Sequence, residues 1–109
     1  MATFEEFLKI DIRVGKIIEV VDFPEARKPA FKIKIDFGKA LGVKQTSAQI
    51  TQLYSKETLL GKLVVAVVNF PPKQIGNFVS EVLILGALDE KGVILLQPER
   101  EAKLGDKIA

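Results

Sequence analysis

The sequence has no cysteine and no histidine, and these two absences remove most of the usual chemistry of active sites and metal sites. Without cysteine there is no disulfide and no thiolate ligand, and without histidine the commonest general base and zinc ligand is missing. The 14 acidic residues are the remaining candidates for acid–base chemistry, but their adjacent pairs, Glu5-Glu6 and Asp89-Glu90, fall at a predicted helix start and a predicted turn. We interpret them as solvated surface charges, and we expect no catalytic residues, no metal and no cofactor. The sequence therefore argues against an enzyme.

Long apolar runs and targeting signals are absent as well. None of the apolar runs in these 109 residues reaches the roughly 20 residues that a membrane span needs. The segment Met1 to Glu6 has no basic stretch followed by an apolar one, so no signal peptide is predicted. We expect one domain over residues 1–109, without membrane insertion and located in the cytoplasm.

Alternating apolar residues predict a fold made mostly of strands. The clearest strand begins at Phe31, where apolar side chains alternate with Lys32, Lys34 and Asp36 as far as Gly38. Further strands are predicted at residues 11–21, 43–49, 63–70, 78–87 and 93–97. In the first of these the apolar residues change phase after Gly15, so a bulge or coil is expected there. Residues 63–70 are expected to lie centrally with both faces buried.

Two short helices interrupt this pattern. Thr3 and Glu6 have the spacing of a capping box, which predicts a helix at the N-terminus, and Ser55 begins a second short helix that ends at Gly61. The whole order predicts an all-β fold, a five-stranded OB-fold Greek-key barrel. It has a short helix between strands 3 and 4 and extra N- and C-terminal segments. Another small barrel, or a split sheet with one helix, is the alternative that periodicity leaves open.

Positive charge is concentrated in the middle of the chain. Residues 26–80 contain nine basic and two acidic residues, a net charge of +7, whereas the whole chain carries only +2. Such a block is typical of a surface that binds a polyanion or an acidic polypeptide. An ordinary lysine-rich solvated surface is the equally weighted alternative.

Six short segments, in order along the chain, resemble the tRNA-binding-domain family. They are DIRVGKI (11–17), PEARK (24–28), IDFG (35–38), LGK (60–62), VNF (68–70) and SE (80–81). Within that family SAQI (47–50), NFPP (69–72) and SEVL (80–83) resemble the CsaA subgroup, the secretion-related chaperones. The resemblance implies an OB-fold homodimer without enzymatic activity, which binds unfolded or secretory precursor polypeptides and is linked to protein export.

The candidate polypeptide-binding residues surround the double proline: Phe70, Pro71, Pro72 and Phe78. They are expected to form an apolar patch at the mouth of the barrel, beside Lys73 and the basic strand face. Burial of apolar side chains is non-directional, so such a patch would accept many client sequences. The alternative is that both phenylalanines close the core and the prolines only end a strand.

A structure-specific tRNA-binding module is the second functional hypothesis. Its candidate RNA-binding residues are Lys28, Lys44, Lys73 and Ser80, and the resemblance links three of them, all but Lys73, to RNA contact. Members that bind tRNA usually carry Ser-Glu-Gly-Met where this chain has residues 80–83, and Asn-Leu-Lys-Pro where it has residues 69–72. The sequence thus lacks one glycine that allows close backbone approach and one lysine that contacts phosphate. We rank the chaperone function first and tRNA binding second.

Overall fold

Five antiparallel strands curl into a nearly closed barrel, which confirms the predicted OB-fold class. A computed structural model describes all 109 residues. The strands are β1 (Ile12–Asp22), β2 (Phe31–Asp36), β3 (Val43–Ala48), β4 (Leu63–Val67), β5 (Lys73–Ile75), β6 (Phe78–Ser80), β7 (Leu83–Ile84), β8 (Gly86–Asp89) and β9 (Gly92–Leu95), and the helices are α1 (Phe4–Leu8) and α2 (Lys56–Leu59). In the barrel sheet the strands lie in the order β3-β2-β1-β4-β7, while β5-β6 and β8-β9 form two separate hairpins. The predicted helix between the third and fourth strands is α2.

The main core fills the interior of the barrel. The alternation predicted for β2 is confirmed, because Ile33 and Ile35 are almost completely buried while Lys32 and Lys34 lie on the outer face. Leu59 of α2 is fully buried in the same core. The helix is held at its start by Ser55, whose side chain accepts a hydrogen bond from the Thr58 backbone N–H.

A second, smaller core explains the change of phase in β1. Ile12 and Val14 pack with Val65 and Val67 of β4, on the opposite side of the sheet from Ile17, which faces the barrel interior. The bulge predicted at Gly15 is wrong: the register of β1 against β2 shifts between Ile17 and Glu19. Alternation continues through position 15, and it looked broken in the sequence because β1 buries both of its faces.

Two predicted strand ranges are also corrected. The strand expected at 63–70 ends at Val67, because the next residues bind the segment that leads into β1. There the Val68 N–H donates to the Asp11 carbonyl, and the Asn69 side chain accepts from the Asp11 N–H and donates to the Lys9 carbonyl. The strand predicted to lie centrally, β4, is an interior strand between β1 and β7, and β1 is the middle strand of the five.

The strand expected at 78–87 is divided into β6, β7 and the start of β8, and β5 was not predicted. Buried Thr46 of β3 helps to impose this break, since its hydroxyl lies 2.8 Å from Ser80 Oγ and donates to the Val82 carbonyl at 2.7 Å. The turn predicted at Asp89-Glu90 lies at the tip of the β8-β9 hairpin, where Gly92 has a φ of 140°.

The two terminal segments lie outside the barrel. The predicted capping box of α1 is confirmed, with reciprocal bonds between Thr3 and Glu6. The C-terminal segment follows β1: the Val14 N–H donates to the Asp106 carbonyl and the Ile108 N–H donates to the Ile12 carbonyl. Neither α1, with five residues, nor α2, with four, is long enough to cross a membrane.

Candidate functional site

A groove of about 750 Å³ lies between the loop that joins β1 to β2 and the β5-β6 hairpin. Arg27 and Lys28 from the loop and Lys73 from the hairpin line it, so the fold brings together two of the predicted RNA-binding lysines. The end of β3 contributes Ser47 and Gln49. We call this surface the basic groove, and its lining could bind an anionic ligand through lysine, guanidinium and hydroxyl donors.

The three cations of the basic groove have no ion-pair partner within the chain. Other lysines of the basic block do: Lys32 pairs with Glu25, Lys34 with Glu19 and Lys56 with Asp22. The charge block of the sequence is therefore partly neutralised by acids from its N-terminal flank. Six cations of the block have no ion pair, and three of them, Arg27, Lys28 and Lys73, meet at the groove.

An aromatic pair connects the two walls of the basic groove. The rings of Phe23 and Phe78 lie 5.5 Å apart, and Lys32 Nζ lies 4.9 Å and 5.7 Å from their respective centroids. Phe23 is buried and Phe78 is half-buried, so Phe78 covers Phe23. Sequence reasoning missed Phe23 and Lys32, since the contact joins residues 23, 32 and 78 through the sheet rather than through any local pattern.

The predicted apolar patch is divided in the structure. Phe70, Pro71 and Pro72 are exposed in the connection from β4 to β5, and Phe70 makes no ring contact with Phe78. Phe70 is 44% exposed, which argues against a core position, whereas half-buried Phe78 packs on the buried Phe23.

Of the other two predicted RNA-binding residues, Ser80 lies next to a cation of the groove and Lys44 lies on another face of β3. Ser80 pairs with Lys73 in the β5-β6 register, but its hydroxyl bonds Thr46 and accepts from the Ser47 N–H at 3.4 Å. Lys44 is paired with core-facing Ile35, on the opposite face of β3 from Ser47. Val82, which replaces the family's glycine, is buried in the main core rather than facing a ligand.

A second concave surface opens where the barrel is not closed by strand pairing. Past the contacts between Gln45 and Glu81, the end of β3 and the β7-β8 segment diverge around a cavity of about 400 Å³. Seven of its ten lining residues are hydrophobic, among them Ile50, Leu83 and Leu88. Leu88 is 91% exposed and Leu83 49%. We call this surface the apolar seam, and a sequence pattern could not reveal it because each wall comes from a different strand.

Acidic side chains do not gather anywhere in the structure into a group of three or more that could hold a metal ion.

The sequence profile of the family described as "Putative tRNA binding domain" matches residues 12–107 of the chain. The chain belongs to this family. Its six signature segments lie in the barrel and at its edges, where several have a structural role: Asn69 anchors the start of β1, and Arg13 donates to the Gly105 carbonyl of the C-terminal segment.

Solved structures place the chain within the CsaA group of the family. A CsaA chaperone protein from Picrophilus torridus is 60% identical, with a TM-score of 0.96 and complete coverage of both chains. A chaperone CsaA from Bacillus anthracis is 52% identical, with a TM-score of 0.94, covering 100% of this chain and 99% of that one. These structural relatives are named as chaperones and not as catalytic proteins.

Curated relatives of a second kind are much longer. A methionine–tRNA ligase of Thermococcus onnurineus is 42% identical over 105 residues, and one of Pyrococcus horikoshii is 44% identical over 105 residues. In both cases the match covers 96% of this chain but 14% of the ligase. The chain thus spans only a small part of these enzymes.

Proposed function

We propose that the protein is a chaperone that binds unfolded polypeptides and keeps them from aggregating. One observation carries the proposal, the match over complete chains to a CsaA chaperone protein at 60% identity. The proposal extends to a homodimer that acts in the cytoplasm on precursor polypeptides destined for export, without catalysis of its own.

The exposed apolar residues give this function a physical basis. Phe70, Leu83 and Leu88 offer apolar area to a client, and each square ångström buried contributes about 25 cal/mol. Because this contribution needs no particular partner geometry, many unfolded segments could bind, each weakly. A folded protein offers few such segments, so the surface would discriminate between unfolded and folded clients.

Binding of tRNA is the second candidate function, and the basic groove favours it. Three cations without an ion pair suit phosphate contacts, and the half-buried ring of Phe78 beside them could contact a base. The matched family is described as a putative tRNA-binding domain, and the segments of methionine–tRNA ligases that match this chain support the same reading.

The two functions respond differently to salt and to aromatic substitution. Binding of polypeptide through apolar contacts should persist at high salt. Binding of tRNA should weaken with salt, and each phosphate contact that a substitution removes should reduce the slope of log tRNA affinity against log salt by roughly 0.7 to 0.9. We expect Phe78→Ser to increase aggregation of a reduced, unfolded client. Phe70→Ser, which removes an exposed ring offered to the client, should do the same with less effect on stability. Light scattering of the client measures the first effect, and tRNA filter binding at two salt concentrations measures the second.

Stability must be measured beside activity, because Phe78 covers the buried Phe23. Phe78→Ser should lower the free energy of unfolding by about 1 to 3 kcal/mol, less than the roughly 3 to 5 kcal/mol expected for a fully buried phenylalanine. The aggregation assay is therefore run at a temperature where urea titration shows the variant folded. Tight, salt-sensitive tRNA binding without any protection of the client would reverse the ranking of the two functions.

A further inference from the structure

The apolar seam and the basic groove are continuous, because the end of β3 lines both. Ser47 and Gln49 border each of the two surfaces. On one side of this border lie exposed leucines, and on the other lie three cations without an ion-pair partner. A ligand long enough to cross the border meets two different chemistries in succession.

The border also carries unused backbone groups. Gln49 is exposed, and neither its N–H nor its carbonyl makes a backbone hydrogen bond. Earlier in β3 the edge is occupied, since the Gln45 N–H donates to Glu81 Oε1 and its carbonyl accepts from the Glu81 N–H. β3 is an edge strand of the barrel sheet. The Ser47 N–H on this edge donates to Ser80 Oγ, and beyond Ser47 the edge is open to an extended chain.

We propose that the two surfaces form one binding site for an extended polypeptide segment in which apolar residues stand next to acidic residues. The apolar side chains lie in the seam against Leu83 and Leu88, the segment's backbone bonds Gln49, and its carboxylates lie in the groove beside Arg27, Lys28 and Lys73. The cations of the groove favour the acidic residues of the segment by charge complementarity. Glu25, the one acid that lines the groove, does not neutralise these cations because it pairs with Lys32. The inference rests on the proposed chaperone function and names the class of client segment.

Polypeptide fits this combined site better than RNA. The lining of the seam contains no aromatic residue and no cation, so it offers neither a stacking platform for bases nor a partner for phosphates. A polypeptide, by contrast, carries apolar and anionic side chains on one backbone that can hydrogen-bond to a strand edge.

The test uses the full chain and three fluorescent peptides that share one block of alternating leucine and valine. Their tails are three glutamates, three lysines or three serines, and a single-stranded RNA oligonucleotide is the fourth probe. Anisotropy at about 50 mM salt should give the glutamate peptide a dissociation constant about tenfold below that of the lysine peptide. At about 500 mM salt the difference should disappear while binding of the shared apolar block remains.

Variants separate the two halves of the site. Lys28→Ala combined with Lys73→Ala should remove the preference for the glutamate tail, whereas Lys39→Ala, at an exposed lysine outside the groove, should leave it intact. Leu88→Ser should weaken binding of all three peptides several-fold, and Leu60→Ser, which removes an exposed leucine outside the seam, is its control. If Leu88→Ser alters folding or association by light scattering, Leu83→Ser replaces it.

Several outcomes would contradict the inference or the proposed function. A lysine-tailed peptide that binds as tightly as the glutamate peptide overturns the inference, as does an effect of Lys28→Ala/Lys73→Ala on RNA alone. If the unfolded client is protected but the peptides show no dependence on tail charge, this inference fails and the chaperone function stands. If neither client nor any peptide binds, the proposed function itself fails.

Discussion

At the scale of single residues, Gly15 shows how a position can be fixed by a neighbour that is distant in sequence. A Cβ at position 15 would lie 2.4 Å from Ile35 Cγ2 and 2.7 Å from Phe37 Cε1, both in the interior of the barrel. Glycine is therefore required because β1 passes close to the side chains of β2 and the residues just after it, and not because the chain bulges there.

We expect Gly15→Ala to lower the free energy of unfolding by about 2 to 3 kcal/mol, since overpacking forces buried side chains to move. Gly42→Ala is the comparison: its φ is 74° and no atom lies within 4 Å of an added Cβ, so only backbone strain of about 1 kcal/mol is expected. Urea unfolding measures both. If Gly15→Ala lowers the free energy of unfolding by no more than Gly42→Ala does, the core side chains can move to accommodate the added Cβ at little cost.

At the scale of elements, the β5-β6 hairpin is attached to β3 partly through the Glu81 side chain, which accepts a hydrogen bond from a backbone N–H of that strand. Glu81 Oε1 accepts from the Gln45 N–H at 3.0 Å, and Gln45 Nε2 donates to the Val79 carbonyl at 2.8 Å. These bonds attach the hairpin to β3 and so set one wall of the basic groove. The Ser-Glu segment that marks the family in the sequence is thus an attachment point of the barrel.

Substitution of Glu81 should separate geometry from charge. Glu81→Gln keeps an acceptor oxygen for the Gln45 N–H, and we expect hydrogen exchange of the hairpin amides to change little. Glu81→Ala leaves that N–H without its side-chain partner, which costs about 1 to 3 kcal/mol where water cannot replace it, so the hairpin amides should exchange faster than those of β2. Equal exchange in both variants would mean that the attachment does not depend on Glu81.

The sequence predicted the elements whose pattern is local and missed those set by contacts between strands. β2, both capped helices and the β8-β9 hairpin follow from alternation, caps and a glycine turn, and they were found. The division of residues 78–87 into separate strands depends on the Thr46 hydroxyl. Lys28 and Lys73 line the same groove because the β1-β2 loop and the β5-β6 hairpin both fold over β3. Neither is encoded in the spacing of residues along the chain.

At the scale of the whole molecule, apolar residues outside both cores remain uncovered. α1 buries none of its residues, and Phe4 is 70% exposed while Leu8 is 53% exposed. In the β8-β9 hairpin and just after it, Ile94 and Leu96 are also exposed. Where exposed apolar side chains form one patch, the patch commonly marks an interface between copies, which in a two-fold dimer meets itself.

Deletion of residues 1–8 should weaken self-association. We expect the full chain to scatter light as twice its 12.0 kDa mass at micromolar concentration, and the truncated chain to dissociate on dilution. Phe4→Ser tests the same contact with little risk to the fold, because its ring lies outside both cores; Leu53→Ser, at another exposed leucine, is the control. A full chain that is monomeric at micromolar concentration contradicts the proposed dimer.

The C-terminal segment on β1 has a consequence for synthesis on the ribosome. Arg13 donates to the Gly105 carbonyl across a separation of 92 residues, and the same segment covers Ile12 and Val14. At about 5 to 20 residues per second, β1 is synthesised roughly 5 to 18 seconds before this partner. During that interval one face of β1 is an uncovered apolar strand, so a protein proposed to bind unfolded polypeptides passes through a stage in which it resembles its own clients.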